Sequence, residues 1–268
     1  MVNGGVRLRV VERGDLSAPP VLLLHGWACM AYSFAELFEP LAAAGHRVIA
    51  LELPGHSLSD KPLDVRAYVA SAMCDAVQQA MHSLGLFRAH IVAHSMGTAI
   101  ALELARRAPS TLNRQVLIAP LGLDRIRVTA LAHAVSPRLM LRMMPSAVPR
   151  AAVNAVLHAV YGRRRQPTER DVDSYWAPTA FPEYGFAMIA LLREFDWSAW
   201  SAERLAAITA PTLLICGQRD RLVRHEVVAR NAQAMPNARL LVLPDVGHVP
   251  LAEAPEESVP PVVEFLAS

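Results

Sequence analysis

The residues Ala93-His94-Ser95-Met96-Gly97 stand between an apolar, strand-like run and a helical pattern over residues 98–107. A serine at such a junction is presented by a sharp turn, and a sharp turn needs small flanking residues. Ala93 and Gly97 meet this requirement. The pattern predicts that Ser95 is a nucleophile, and the alternative is a serine that only caps the following helix.

Short apolar runs alternate with helical patterns along most of the chain, as expected of β-α-β units around a parallel sheet. Most of these runs are continuously apolar, which indicates strands that are buried on both faces. At the N-terminus, residues 6–12 alternate apolar and polar, which predicts an antiparallel edge strand. The other strand-like runs are Val21–Leu24, Val48–Leu51, Ile91–Ala93, Val116–Ala119, Leu213–Cys216 and Leu240–Leu243.

The alternation is interrupted once, between residues 121 and 200, where no strand-like run occurs. The pattern there predicts several short helices with apolar faces. An insertion between two strands of a parallel sheet is a candidate lid over the carboxyl ends of the strands, where ligands bind. We therefore expect a core of residues 1–120 and 201–268 and a helical cap of residues 121–200. The apolar faces consist of Met140, Met143 and Met144, and of Met188, Leu191, Leu192 and Phe195.

Further segments resemble the α/β-hydrolase superfamily of serine hydrolases. They are His25-Gly26-Trp27 after the first apolar run, Leu53-Pro54-Gly55-His56-Ser57, and Gly247-His248, so the resemblance covers nearly the whole chain. The family usually has Asp-x-Pro-Gly-His-Gly in the middle segment, where this chain departs at Glu52 and Ser57. The resemblance implies an α/β-hydrolase fold, with a mostly parallel central sheet flanked by helices and a helical cap inserted after the sixth strand.

The resemblance also implies a catalytic triad. Triads of this fold follow the chain order serine, acid, histidine, with each residue on a loop after a strand. Ser95, Asp220 and His248 obey that order. Asp245, on the same loop as the histidine, and Asp124 remain alternatives for the acid.

Two backbone N–H groups, those of Trp27 and Met96, are expected to form an oxyanion hole for charge that develops in the transition state. The remaining contacts with substrate are expected from the cap and from residues next to the proposed triad. The candidate substrate-binding residues are His25, Met140, Met143, Met144, Met188 and Val249.

The motifs narrow the range of activities that this chain could have. Dehalogenases and epoxide hydrolases of this family use an aspartate nucleophile, whereas this chain has Ser95. Carbon–carbon hydrolases of the meta-cleavage type usually carry tryptophan after the base, where this chain has Val249. The expected activity is hydrolysis of carboxylic esters of short to medium acyl chain. The alternatives are a carbon–carbon bond hydrolase, a cofactor-free haloperoxidase or perhydrolase, and a non-catalytic binding protein of the same fold.

The net charge and the spacing of two histidines argue against a nucleic-acid-binding, membrane-binding or metal-binding protein. A formal net charge of +2 over 268 residues gives no electrostatic footprint for nucleic acid or an anionic membrane. His90 and His94 are four residues apart, but on a strand that spacing spans roughly 13 Å, too far for one metal ion. We therefore expect a cytoplasmic enzyme that acts on a small-molecule ester without a metal or cofactor, and its oligomeric state stays open.

Overall fold

The computed structural model describes residues 2–3, 5–125 and 148–267. The predicted cap residues Met140, Met143 and Met144 lie outside the described residues.

Within the described residues, seven strands form one sheet in the order β3-β5-β4-β6-β7-β8-β9. Only β3 is antiparallel to its neighbour, β5, and the other strands are parallel. In the centre of the sheet, Leu24 pairs with Leu51 on one side and with Ala93 on the other. The strands are β1 (Val2–Asn3), β2 (Val6–Arg7), β3 (Val10–Arg13), β4 (Pro20–Leu24), β5 (Arg47–Leu51), β6 (Ala89–His94), β7 (Leu112–Ile118), β8 (Thr212–Gly217) and β9 (Ala238–Leu243).

Helices cover both faces of this sheet. The helices are α1 (Ala35–Ala43), α2 (Ala70–Ser83), α3 (Met96–Arg107), α4 (Arg150–Val160), α5 (Glu169–Trp176), α6 (Tyr184–Glu194), α7 (Ala202–Ala206), α8 (His225–Ala232), α9 (Pro250–Glu253) and α10 (Pro255–Ala267). Short 3-10 helices cover Ala31–Phe34, Val65–Tyr68, Pro109–Thr111 and Ala177–Ala180.

The core consists of two main layers, one on each face of the sheet. Successive residues of a strand point to opposite faces, so Leu22 and Leu24 join the layer that packs against α2 and α3. Val21 and Leu23 join the layer that packs against α1 and α10. All four side chains are fully buried, which explains why this run is continuously apolar.

The N-terminal segment forms two strands instead of the single edge strand predicted for residues 6–12. Its second half, β3, is the antiparallel edge strand of the large sheet, whereas β2 pairs with β1 in a separate two-stranded ladder. The resemblance placed the helical insertion after the sixth strand; in the structure it follows β7, the fifth strand of the large sheet along the chain.

Helices α4 to α6 lie on the segment predicted as a cap, between β7 and β8. Leu157, Tyr161 and Val172 from this segment form a small apolar cluster of their own. Leu191 of α6 instead packs into the larger core layer. In the part of the chain that the structure describes, no helix has the length and apolar character needed to cross a membrane.

Candidate active site

Ser95 occupies a strained turn between β6 and α3. Its backbone has φ 50° and ψ −118°, in a region that non-glycine residues seldom adopt. Two glycines let neighbouring backbone approach this turn. A β-carbon on Gly97 would lie 2.2 Å from the carbonyl oxygen of Leu24, and one on Gly26 would lie 3.0 Å from Cβ of Ser95. The turn after β4 is therefore held directly against the serine.

His248 connects Ser95 to Asp220. Its Nε2 lies 2.9 Å from Oγ of Ser95, and its Nδ1 lies 2.7 Å from Oδ2 of Asp220. A carboxylate accepts hydrogen bonds, so Nδ1 carries the proton and Nε2 offers its lone pair to the serine hydroxyl. The structure thus brings the three predicted triad residues together. An imidazole held in this way can accept the proton of Ser95.

The backbone after β8 fixes Asp220. Its Oδ1 accepts hydrogen bonds from the N–H groups of Leu222 (2.8 Å) and Val223 (3.0 Å), which leaves Oδ2 directed at His248. The Asp220 side chain is fully buried. Its orientation therefore does not depend on solvent.

The two alternative acids bind arginines instead. Asp124 is buried and forms an ion pair with the exposed Arg224 at 3.0 Å, and Asp245 forms an exposed ion pair with Arg219 at 3.0 Å. Neither carboxylate contacts His248 in the described hydrogen bonds. Asp220 is the acid that the geometry supports.

Trp27 belongs to the turn after β4, and Met96 directly follows Ser95. Their N–H groups therefore belong to the two turns that meet at the serine. Met96 is the first residue of α3, so its N–H has no partner within the helix. Among the described residues, neither amide donates to another protein group. The side chain of Trp27 fixes the position of this residue, because its Nε1–H donates a hydrogen bond to the carbonyl of Met188 in α6 at 3.0 Å. This arrangement leaves both amides free for a substrate oxygen.

Two buried histidines support the site through backbone contacts. His25 accepts the N–H of Leu53 at Nε2 (3.0 Å) and donates from Nδ1 to the carbonyl of Gly26 (2.8 Å). With both ring nitrogens engaged and no exposed surface, His25 joins two loops instead of contacting substrate as predicted. His94 donates from Nε2 to the carbonyl of His248 at 2.8 Å. Burial lowers the pKa of His25 to about 4 and that of His94 to about 3, so both rings are neutral.

A cavity of about 400 Å³ opens at Ser95 and His248. Its walls are mostly apolar, and within the described residues no lysine or arginine lines it. Of the predicted substrate-binding residues, Val249 lines this cavity, whereas the side chain of Met188 packs into the core. The other lining residues are Trp27, Ala28, Cys29, His94, Val156, Leu157, Val160, Tyr175, Leu192, Trp197 and Leu222.

The two departures from the family pattern have different local consequences. Glu52 is buried and paired with Arg9 at 2.8 Å, and its second oxygen accepts the N–H of Leu58. Ser57 has φ 42°, in the left-handed region that glycine adopts at little cost. Neither residue contacts the proposed triad, so the departures leave its geometry intact.

The sequence model of the α/β-hydrolase fold family matches residues 19–255 of this chain. The chain belongs to the α/β-hydrolase fold family. Membership in this family supports an enzyme of the hydrolase class. Among the described residues, no cluster of histidine, cysteine or acidic side chains has the form of a metal site.

The relatives of this α/β hydrolase include proteins named as hydrolases of dienoates and dienedioates. The chain is 29% identical to the 2-hydroxy-6-oxo-6-phenylhexa-2,4-dienoate hydrolase of Burkholderia cepacia, over 90% of this chain and 85% of that protein. It is 28% identical to the 2-hydroxy-6-oxononadienedioate/2-hydroxy-6-oxononatrienedioate hydrolase 2 of Pseudomonas putida, over 93% and 88%. The meta-cleavage product hydrolase of Pseudomonas fluorescens IP01 superposes with a TM-score of 0.81 at 24% identity, over 98% and 94%.

Several residues of this site carried no sequence signal. Tyr175 and Trp197 line the cavity, but nothing in their spacing distinguishes a cavity wall from ordinary helix packing. Glu253 is buried beside the His248 loop, although a glutamate is an ordinary residue at the end of a helix. Only its position five residues after His248 could have drawn attention to it.

Proposed function

We propose that this α/β hydrolase is a serine hydrolase that cleaves carboxylic esters of short to medium acyl chain. The observation that carries the proposal is the relay from Ser95 through His248 to Asp220, with 2.9 Å and 2.7 Å between the bonding atoms, at the mouth of an apolar cavity. A relay of this geometry activates a hydroxyl that is otherwise a weak nucleophile.

In the first half-reaction, Oγ of Ser95 attacks the ester carbonyl carbon while Nε2 of His248 accepts the hydroxyl proton. The carbonyl oxygen becomes an oxyanion, and the N–H groups of Trp27 and Met96 donate to it. The intermediate then collapses and breaks the bond to the alcohol oxygen. His248 returns the proton to that oxygen, so the alcohol leaves neutral and the acyl group remains on Ser95.

In the second half-reaction, neutral His248 accepts a proton from water as the water oxygen attacks the acyl-enzyme. The same two amides bind the new oxyanion. Collapse of this intermediate breaks the bond to Ser95 Oγ, which regains the proton from His248 and releases a carboxylic acid. Asp220 keeps Nδ1 protonated and stabilises the imidazolium that forms in each half.

The cavity favours a neutral, apolar acyl group. Its walls come from α4, α5, α6 and the loops beside the proposed triad, and the described lining offers no lysine or arginine to a substrate carboxylate. Each buried methylene contributes about 0.8 kcal/mol. Because a cavity of about 400 Å³ has finite depth, the gain stops after a few carbons.

The second candidate is a carbon–carbon bond hydrolase, which the names of two relatives favour. Their substrates are carboxylates without an ester group, so hydrolysis breaks a bond between carbons. Such a substrate would place a carboxylate in or near the cavity, whose described lining holds no lysine or arginine to pair with it. This difference supports the ester.

Two substrates, one variant and one labelling reagent test the proposal. We expect kcat/KM for p-nitrophenyl butyrate to exceed that for 2-hydroxy-6-oxo-6-phenylhexa-2,4-dienoate, and Ser95→Ala to lower kcat at least ~10³-fold. A fluorophosphonate should label Ser95, since only an activated serine reacts. Faster turnover of the dienoate would establish the second candidate. Absence of labelling would favour a binding protein, and peroxide-dependent activity alone would favour a haloperoxidase or perhydrolase.

A further inference from the structure

The carboxylate of Glu253 joins two segments that are far apart in the sequence. Its Oε1 accepts the N–H of Gly247 at 2.8 Å, and its Oε2 accepts the N–H of Gly162 at 2.6 Å. Gly247 precedes His248, and Gly162 follows the end of α4. Glu253 is only 2% exposed, and in the described ion pairs no cation accompanies it.

The backbones of these two segments lie in direct contact. A β-carbon on Gly162 would lie 2.4 Å from the carbonyl oxygen of Asp245, and one on Gly247 would lie 2.4 Å from that of Val160. Two hydrogen bonds cross the contact, from His248 N to Val160 O (2.8 Å) and from Arg163 N to Asp245 O (2.7 Å). The loop that carries His248 is therefore tied to the end of α4.

The same helix forms part of the proposed acyl site. Val156, Leu157 and Val160 of α4 line the cavity that opens at Ser95. One rigid connection thus runs from a cavity wall to the imidazole. Backbone N–H groups are the principal partners of Glu253, although burial still raises the pKa of its carboxyl group above the usual range.

We propose that Glu253 is a positioning residue that clamps the His248 loop to α4 and so keeps the imidazole aligned between Asp220 and Ser95. This role rests on the proposed function for its catalytic consequence, but the alignment of His248 is a property of the free protein. Glu253 does not touch the reacting atoms. It acts through the backbone of Gly247 and Gly162.

The first test is Glu253→Gln. The glutamine oxygen can accept one of the two N–H groups, but its NH₂ group would face the other donor, so one connection is lost. We expect kcat/KM for p-nitrophenyl butyrate to fall about 10- to 100-fold, the range that small misplacements of catalytic groups cause. The matched control is Glu256→Gln, which removes an exposed carboxylate from the next helix and should leave kcat/KM within about twofold of the parent.

A spectroscopic measurement separates positioning from general destabilisation. The His248 Nδ1 proton shared with Asp220 should give a far-downfield proton NMR resonance, assigned by its loss in His248→Ala. Recorded well below the melting temperature, this resonance should persist in Glu256→Gln and be shifted or lost in Glu253→Gln. Because it needs no substrate, it tests the clamp even if the parent protein cleaves no ester.

Gly162→Ala provides a second variant in case Glu253→Gln does not fold. Its β-carbon would force α4 and the His248 loop apart while leaving Glu253 unchanged. We expect the same loss of the resonance and of kcat/KM. If either variant folds and keeps both the parent resonance and at least half of the parent kcat/KM, the clamp is refuted.

Discussion

Gly97 lies so close to the end of β4 that a β-carbon on it would come within 2.2 Å of the carbonyl oxygen of Leu24. Two non-bonded heavy atoms cannot approach so closely, so α3 and β4 can meet in this way only through glycine. The contact holds the turn of Trp27 beside Ser95. It links the proposed nucleophile to one proposed oxyanion donor without any side chain.

Gly97→Ala should therefore separate Ser95 from the turn that carries Trp27. We expect kcat for p-nitrophenyl butyrate to fall about 10²-fold or more, since small displacements of catalytic groups have that effect. The folded fraction, measured by denaturant titration, normalises the rates. A variant with near-parent kcat would show that the two turns move independently.

The choice of acid can be tested by paired substitutions. Asp220→Asn should lower kcat about 10⁴-fold, because an amide in place of the carboxylate favours the wrong imidazole tautomer. Asp245→Asn removes only an exposed ion pair with Arg219 and should change kcat less than twofold. Steady-state kinetics on p-nitrophenyl butyrate measure both. A larger loss of kcat for Asp245→Asn would show that the acid is Asp245, on the loop of His248, and not Asp220.

Acyl-chain preference tests the cavity. kcat/KM should rise from p-nitrophenyl acetate to butyrate by up to roughly fourfold per methylene, and palmitate should be poor. Leu192→Trp should lower kcat/KM for octanoate more than for acetate, because Leu192 lines the cavity. Leu58→Trp, at an exposed site outside the lining, is the control. A palmitate optimum, or equal effects on all chain lengths, would argue against an acyl role for this cavity.

Ser57 offers a test of backbone strain. Ser57→Gly should raise the free energy of unfolding by up to about 1 kcal/mol, because a left-handed conformation costs a side-chain-bearing residue about 1–2 kcal/mol and the added flexibility of glycine offsets part of it. Ser59→Gly is the control, since the Ser59 hydroxyl donates to the carbonyl of Glu52 at 2.6 Å, and that variant should be destabilised. Urea denaturation at neutral pH compares them. Destabilisation of Ser57→Gly would remove the strain argument.

Buried histidines should make the protein sensitive to acid. Burial lowers the pKa of His90 to about 4, below the value of about 6.5 expected in the unfolded chain. The unfolded chain therefore binds more protons, and the stabilisation present above about pH 6.5 is lost as the pH falls toward 4. His25 and His94 act in the same direction.

Replacing His90 should flatten this dependence. The loss of unfolding free energy between about pH 7 and pH 5 should be smaller in His90→Gln than in the parent, by on the order of 1 kcal/mol. His82→Gln, which removes an exposed histidine, should behave as the parent. Chemical denaturation at both pH values gives the comparison. Parallel losses in parent and His90→Gln would mean that His90 does not control the acid response.

The position of Ser95, Asp220 and His248 could be predicted because each follows a strand of one parallel sheet. Strand ends of a parallel sheet meet at one edge, so chain order alone brings these side chains together. The family membership followed from the short motifs, and the sheet followed from the alternation of apolar runs with helical patterns. The hydrogen bonds that select Asp220 over Asp245, by contrast, depend on the backbone after β8 and have no signature in the sequence.

The cavity walls were beyond prediction for a physical reason. Met188 and Leu192 lie one turn apart on α6 and share its apolar face, yet Met188 packs into the core and Leu192 lines the cavity. Both environments are apolar, so both select the same residue types. Similarly, residues 6–12 alternate as one strand would, and only their partners divide them into β2 and β3.

The crossed backbone bonds between Val160–Arg163 and Asp245–His248 set a rule for recombining this protein with its relatives. A transplanted insertion that ends before residue 160 would leave the native junction intact and alter only the roof of the cavity. One that includes Gly162 must supply a residue without a side chain at that position, because the carbonyl of Asp245 fills the space. Chimeras in which residues 160–163 and 245–248 both come from the host sequence should retain turnover. Chimeras whose junctions separate these two segments should fold but lose turnover.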